Sequence, residues 1–137
     1  MEQEKLYELK RKLYQWAKRN LQGTSVINFA TGNLIEISSQ GIDEWFSKSK
    51  TENQIKSITA LHKILQTAIF THASINIHSE RKNAPSFEYY ECPFEIEEKN
   101  YNVVLSIKII IEKNKNRRIY YHHYLDEIKK PPSTLVR

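Results

Sequence analysis

The sequence has few of the residues that mark several common classes of protein. Its 137 residues include three glycines, four prolines and one cysteine. So little glycine and proline excludes collagen-like and glycine-rich repeat architectures, and a single cysteine excludes an internal disulfide framework or a CxxC-type zinc site. No apolar run approaches the ~18 residues that span a membrane, and the N-terminal segment lacks the apolar core of a secretory signal. We therefore expect no membrane contact and a location in the cytoplasm of the producing or target cell.

What the sequence does contain is enough apolar material for a core, together with an excess of basic residues. Hydrophobic residues make up 39% and aromatic residues 11% of the chain, which suits one folded domain over residues 1–137. Lysine and arginine number 21 against 16 acidic residues, a formal net charge of +5. A basic excess favours a polyanionic partner, and nucleic acid is the first candidate.

Periodicity divides the chain into a helical part, about residues 1–72, and a sheet, about residues 86–126. Apolar spacing predicts an amphipathic helix from about Glu4 to Leu21 and a second helix through Ile69, with Ser49 or Thr51 as its N-cap. Two β-leaning stretches and a polar loop segment separate the helices. After Ser86 the pattern alternates with a period of two, as expected for strands. This order predicts an α+β fold in which the helices pack on one face of an antiparallel sheet.

The last predicted strand concentrates tyrosine, histidine and arginine. Residues 118–124 read Arg-Ile-Tyr-Tyr-His-His-Tyr. If no bulge intervenes, alternate residues from 118 to 124 share one face of the strand, and alternate residues from 119 to 125 share the other. Ile119 and Leu125 indicate that the second face, which includes His123, points into the core or the floor of a cleft.

The types of residue present are compatible with metal-free RNA cleavage, which asks for few specialised groups. Neighbouring histidines on a strand point to opposite faces, and no HxH or HExxH pattern is present, so no metal site is predicted. The GxSxG elbow and the phosphate- and dinucleotide-binding glycine patterns are also absent, and no cofactor is expected. RNA cleavage needs a base for the ribose 2′-hydroxyl, an acid for the departing 5′-oxygen and a cation for the phosphorane. Each acid–base contribution is worth about 10²–10⁴-fold. The chain offers five candidate histidines, His62, His72, His78, His122 and His123.

Four segments resemble a known domain family in their order and spacing. They are AKRNLQGTSVINFATGNLIEISSQGIDEWFSKSK, IKSITALHKILQTAIF, FEYYECPFEIEEKNYNVVLSIKIIIE and YYHHYLDEI. Together they cover most of residues 16 to 128 and resemble the large polyvalent protein-associated domain of the phage type, within the barnase–EndoU–colicin–RelE-like (BECR) nuclease group. The resemblance implies an RNase-like α+β fold with a curved antiparallel sheet, as one module of phage-borne polyvalent proteins or polymorphic toxins.

The resemblance also guides the choice of site residues. His123 matches the histidine of the family's YYDH ending, while His122 stands where that ending has aspartate. Asp43 and Glu44 stand where related domains carry lysine or histidine. We therefore expect a metal-independent RNA endonuclease, directed at RNA such as tRNA, with His123 as the leading general acid or base. The other predicted catalytic residues are His122, Tyr121, Lys108 and Glu44, and the predicted substrate contacts are Ser38, Ser39, Lys48, Arg117, Arg118 and Tyr120.

Two other functions remain open at this point. One is a nonenzymatic RNA-binding module, which needs the basic and aromatic residues but no group that titrates near neutral pH. The other is a protein-interaction domain, for instance one bound by a cognate immunity protein through its acidic or basic face. Replacement of His123 separates cleavage from binding in the first case.

Overall fold

Most of the helical structure comes early in the chain and the long strands come late, as the α+β prediction requires. A computed structural model describes residues 2–74, 86–113 and 115–129. The helices are α1 (Gln3–Asn20), α2 (Ser39–Lys48), α3 (Glu52–Lys56) and α4 (Leu61–Thr67), and a 3₁₀ turn, Ser57–Ala60, joins α3 to α4. The strands are β1 (Ser25–Ile27), β2 (Leu34–Ile37), β3 (Ile69–Ser74), β4 (Ser86–Ile96), β5 (Lys99–Glu112) and β6 (Lys115–Glu127).

The six strands form one sheet in the order β1-β2-β6-β5-β4-β3. The long strands β4, β5 and β6 form an antiparallel meander, and β3 adds to its outer edge. On the other side β2 pairs in parallel with β6, but only over Ile35–Ile37 opposite Arg118–Tyr120. Among the residues described, the second half of β6 therefore has no strand neighbour on that side, and α2 packs beside this part of the molecule.

The core lies between the helices and one face of the sheet. On β5 the alternate residues from 101 to 107 are buried, as the predicted alternation requires. They meet apolar side chains of the helices, among them Ile42, Trp45, Ile58 and Leu61, all fully buried. Each such side chain contributes about 1.5–3 kcal/mol through removal from water.

The helical part differs from the prediction at three places. The second helix is split into α3 and α4, and its N-cap is Thr51, whose side chain accepts a hydrogen bond from the backbone of Gln54. Helix α4 ends at Thr67, because residues 69–74 pair with β4 as strand β3. The predicted boundary near residue 72 is therefore wrong, and His62 and His72 do not share a helix.

Residues 39–48 form helix α2 where a polar loop segment was predicted. Ile42 and Trp45 are buried along one side of this helix. Gly41 lets the helix approach the strand closely, since a Cβ atom there would lie 2.5 Å from the carbonyl oxygen of Tyr120. The absence of a side chain at this position brings α2 against β6.

Candidate functional site

A β-bulge in β6 decides which side chains reach the candidate site. Ser106 pairs with His122 but Ile107 pairs with Tyr120, so Tyr121 is an extra residue on β6. The bulge turns Tyr120 and His123 to the same, core-facing side, while His122 lies on the opposite face. The predicted face is therefore confirmed for His123, which is buried, but wrong for Tyr120, because the prediction assumed a regular strand.

His123 is fully buried, and both nitrogens of its ring form hydrogen bonds with neighbouring side chains. The Ser57 hydroxyl donates to the carbonyl of Gln54 over 2.6 Å, so its oxygen accepts from Nε2 of His123, also at 2.6 Å. Nδ1 of His123 is then free to accept from the Tyr120 hydroxyl, at 2.6 Å. Burial, with a smaller effect of His122, lowers the pKa of His123 to about 3. A neutral ring inside the core does not suit the catalytic role predicted for His123, because a substrate does not reach it.

His122, by contrast, lies at the wall of a groove. The groove has a volume of about 640 Å³, and its lining includes Lys48, Lys50, Asn53 and Tyr124. Nδ1 of His122 is buried and has no hydrogen-bond partner among the residues described. Burial and the nearby positive charge of Lys48 lower the pKa of His122 from its ordinary value of 6.5, against a smaller opposing effect of Glu44. The ring is therefore neutral near pH 7 and able to accept a proton.

Helix α2 supplies an ion pair beside this histidine. Nζ of Lys48 lies 2.9 Å from Oε2 of Glu44, one helical turn earlier. The ion pair with Glu44 raises the pKa of the lysine, and Tyr121 adds to this effect. Lys48 is therefore a fixed positive charge at the groove. The fold thus brings together four predicted site residues, His122, Tyr121, Glu44 and Lys48.

Two predicted substrate residues, Ser38 and Ser39, lie at the other end of α2. Ser38 is the N-cap and Lys48 the last residue of this ten-residue helix, so the two ends are about 15 Å apart. Both serines line a separate cavity of about 430 Å³ with Thr24 and Glu36. They do not join the groove that His122 lines.

Arg117 and Arg118, predicted to bind substrate, are engaged by carboxylates. Arg117 donates to both carboxylate oxygens of Glu36, at 2.8 and 3.0 Å, and to Glu112. Arg118 makes a two-pronged contact with Glu88, at 2.9 and 3.2 Å. The Arg117 pairs connect neighbouring strands, whereas the Arg118–Glu88 pair reaches across β5 from β6 to β4. Both arginines thereby use the donors that a phosphate would need. Carboxylates on other strands of the sheet therefore neutralise both arginines.

The remaining predicted residues have distinct positions. Tyr120 is buried, and burial raises its pKa, so its hydroxyl remains a hydrogen-bond donor to His123. Lys108 lies on the sheet face opposite the core, in register with Phe87 and Ile119. Of the other histidines, His62 contacts Thr24 through Nε2 at 2.9 Å, His72 lies on β3, and His78 falls outside the described residues.

Gln54 is a residue that the sequence analysis missed. Its side-chain amide donates to the carbonyl of His123 at 2.8 Å, and its side-chain oxygen accepts from the amide of Leu125 at 3.0 Å. The Gln54 side chain thus forms hydrogen bonds with the backbone of β6 at the residues just before and just after Tyr124, which lines the groove. Partners 69 and 71 positions apart leave no local signal in a sequence, so only the assembled fold reveals this contact.

The described residues contain neither a cluster suited to a metal ion nor a helix suited to a membrane. In ranges 2–74, 86–113 and 115–129, no three His, Cys, Asp or Glu side chains come together in a way that could hold a metal ion. Within the same part of the chain, no helix is both long enough and apolar enough to cross a membrane.

Comparison with known proteins identifies the family. Neither the curated proteins nor the solved structures give a match. A family model described as large polyvalent protein-associated domain 3 matches residues 4–124. The match extends from α1 to the groove residue Tyr124 and includes strands β1 to β5 and most of β6. The chain therefore belongs to the large polyvalent protein-associated domain 3 family.

Proposed function

We propose that this domain is a metal-independent RNA endonuclease of the BECR nuclease group, with His122 as its general base. The observation that carries the proposal is the position of His122, which lines a groove together with Lys48 and whose lowered pKa keeps its ring neutral near pH 7. The fixed charge of Lys48 beside it supplies the cation that a cleavage reaction needs. Membership of a phage-associated domain family supports a role as a toxin module, with RNA such as tRNA as substrate and an immunity protein as its inhibitor.

The proposed reaction is transesterification through the ribose 2′-hydroxyl. His122 accepts the 2′-hydroxyl proton as the 2′-oxygen attacks phosphorus, and the bond from phosphorus to the 5′-oxygen breaks. The Tyr121 hydroxyl donates a proton to the departing 5′-oxygen, which leaves a 2′,3′-cyclic phosphate and a 5′-hydroxyl. Lys48 stabilises the negative charge of the phosphorane, and Glu44 orients Lys48 through their ion pair.

The direct test compares His122 with a histidine outside the groove. We expect the parent protein to cut total RNA into discrete bands in excess EDTA, and His122→Ala to lower the rate by about 10²–10⁴-fold, since one proton transfer is lost. His62→Gln is the matched control, because His62 lies on α4 and contacts Thr24, and it should cut like the parent. Unchanged cleavage by a folded His122→Ala variant would refute the assignment. An unchanged gel with folded parent protein would refute the enzyme and favour a nonenzymatic RNA-binding module.

A second test addresses the charge that acts on His122. Lys48→Met removes a positive charge, so the pKa of His122 should rise, and the freed Glu44 carboxylate acts in the same direction. An NMR titration of the histidine ring carbons measures this change directly. In cleavage assays the low-pH limb of the rate profile should move to higher pH in the variant. An unchanged titration of His122 in Lys48→Met would contradict the proposed geometry.

A further inference from the structure

A row of residues crosses four strands on the sheet face opposite the helices. His72 pairs with Tyr89, Tyr89 with Ser106, and Ser106 with His122. Their strand neighbours Tyr90, Leu105 and His123 are buried in the core on the other face. Because side chains alternate along each strand, the row from His72 to His122 lies on the open face of the sheet.

Aromatic rings line this row and the next one. The rings of His72 and Tyr89 are stacked, with centroids 4.6 Å apart and planes at 22°. Phe87 lies near Tyr89, with ring centroids 6.4 Å apart and planes at 25°. The rings of Phe87 and Tyr121 meet edge to face, with centroids 5.3 Å apart. We call His72, Tyr89, Phe87 and Tyr121 the aromatic track. The track leads from the outer strand β3 to the bulge beside His122.

Ser106 creates a gap in the row between Tyr89 and His122. These two residues lie two strands apart, so their backbones are roughly 9.6 Å from each other at ~4.8 Å per strand. Contacting carbon atoms lie about 3.5–4.0 Å apart, so a flat ring between two others needs roughly 7–8 Å, which is less than this backbone spacing, and serine is the smallest side chain in the row. The strand spacing therefore leaves room for one flat base over Ser106, between Tyr89 and His122.

The charges around the track favour a polyanion. Lys108 lies next to Phe87 in register, and among the residues described no carboxylate forms an ion pair with it. On the other side of the row, the carboxylate of Glu91 accepts a hydrogen bond from Asn102 at 2.8 Å. A negative charge there repels phosphate, whereas Lys108 attracts it. The nucleic-acid backbone is thus directed to the Lys108 side of the row.

We propose that the aromatic track binds unpaired bases of single-stranded RNA and seats one base over Ser106. The inference rests on the proposed function, because it places the ribose of that base beside the proton acceptor His122. Unpaired bases present free faces to aromatic side chains, whereas the faces of bases in a duplex are already stacked. Lys108 holds the adjoining phosphate, and the track selects single strands over duplexes.

The test measures binding with a probe that the enzyme cannot cut. A fluorescent single-stranded RNA octamer with 2′-O-methyl riboses lacks the attacking hydroxyl, so anisotropy reports affinity alone. We expect Tyr89→Ala to weaken binding roughly 5- to 100-fold, as for other base–aromatic contacts. Tyr89→Leu, which keeps apolar volume at this half-buried position, should lose a similar factor. Tyr7→Ala is the control, because Tyr7 is an exposed tyrosine of α1, and it should bind like the parent.

An octamer with abasic positions separates stacking from charge. The parent should bind the abasic octamer less tightly than the full octamer. Tyr89→Ala should bind the abasic and full octamers with equal affinity. The parent should bind a duplex of the same sequence only weakly. Equal affinity of the parent for the abasic and full octamers, or for duplex and single strand, would overturn the track. The track would also be overturned if Tyr89→Ala and Tyr89→Leu bound the octamer as tightly as the control Tyr7→Ala does. Failure of cleavage with normal octamer binding refutes the proposed nuclease, and failure of binding with normal cleavage refutes the track.

Discussion

The side chain of Gln54 offers the sharpest test of how the candidate site is held. Gln54→Leu keeps the volume but removes two hydrogen bonds to the edge of β6. Each bond contributes about 0.5–1.5 kcal/mol, and an orphaned buried group costs about 1–3 kcal/mol. The groove admits water near Leu125, which offsets part of that cost. We therefore expect the free energy of unfolding to fall by about 2–4 kcal/mol.

Urea denaturation at neutral pH measures this change, with Gln66→Leu as the matched control. The side chain of Gln66 is half-buried on α4, and no hydrogen bond to it occurs among the described residues, so its replacement should change stability by less than about 0.5 kcal/mol. Hydrogen exchange gives a local measurement, because the amide of Leu125 loses its acceptor only in Gln54→Leu. A loss of stability no larger than that of the control, with unchanged exchange at Leu125, would refute the proposed role of Gln54.

Two further changes test the packing of α2 and the charge pair between β2 and β6. Gly41→Ala places a methyl group against the backbone of Tyr120. Because the site has no room for it, the free energy of unfolding should fall by about 1–3 kcal/mol or more. A melting temperature equal to that of the parent would contradict the close approach of α2 to β6. The hydrogen bond from Arg117 holds the pKa of Glu36 below its ordinary value of 4.5, despite partial burial. The resulting stability is present above pH 4.5 and is lost as the pH falls through the folded pKa. Arg117→Leu should therefore flatten the acid limb of the stability curve, and identical acid limbs in both proteins would show that the pair contributes nothing.

The parts of the fold that follow a single local period were predictable. Strand β5 alternates buried and half-buried residues from Tyr101 to Lys108, because one face meets the helices and the other does not. The Thr31-Gly32-Asn33 turn between β1 and β2 was also predictable, and Gly32 there has a positive φ of 74°. Helical spacing through Ile69 was misleading, since pairing with β4 overrides a local preference at residues 69–74.

The candidate site was harder to predict, because it depends on one inserted residue and on distant partners. The alternation with Ile119 and Leu125 correctly placed His123 on the core-facing side, but nothing local in the sequence predicted the bulge at Tyr121. Because of that bulge, Tyr120 is buried in the core while His122 lines the groove, although a regular strand would have put both on one face. Lys48 was predicted to contact substrate, yet its helical setting depends on contact with β6, which is remote in sequence.

The parallel pairing of β2 with β6 also has a consequence for the order in which the chain folds. The contact between Glu36 and Arg117 spans 81 positions, so the ends of a large loop must meet before it forms. During synthesis the N-terminal helices and the β1–β2 hairpin emerge long before β6 exists, with their apolar faces uncovered. His122 is made 74 residues after Lys48, and Lys48 lacks this neighbour until then. A nascent chain of this domain therefore carries no assembled groove, and any activity of the groove begins only after the last strand has joined the sheet.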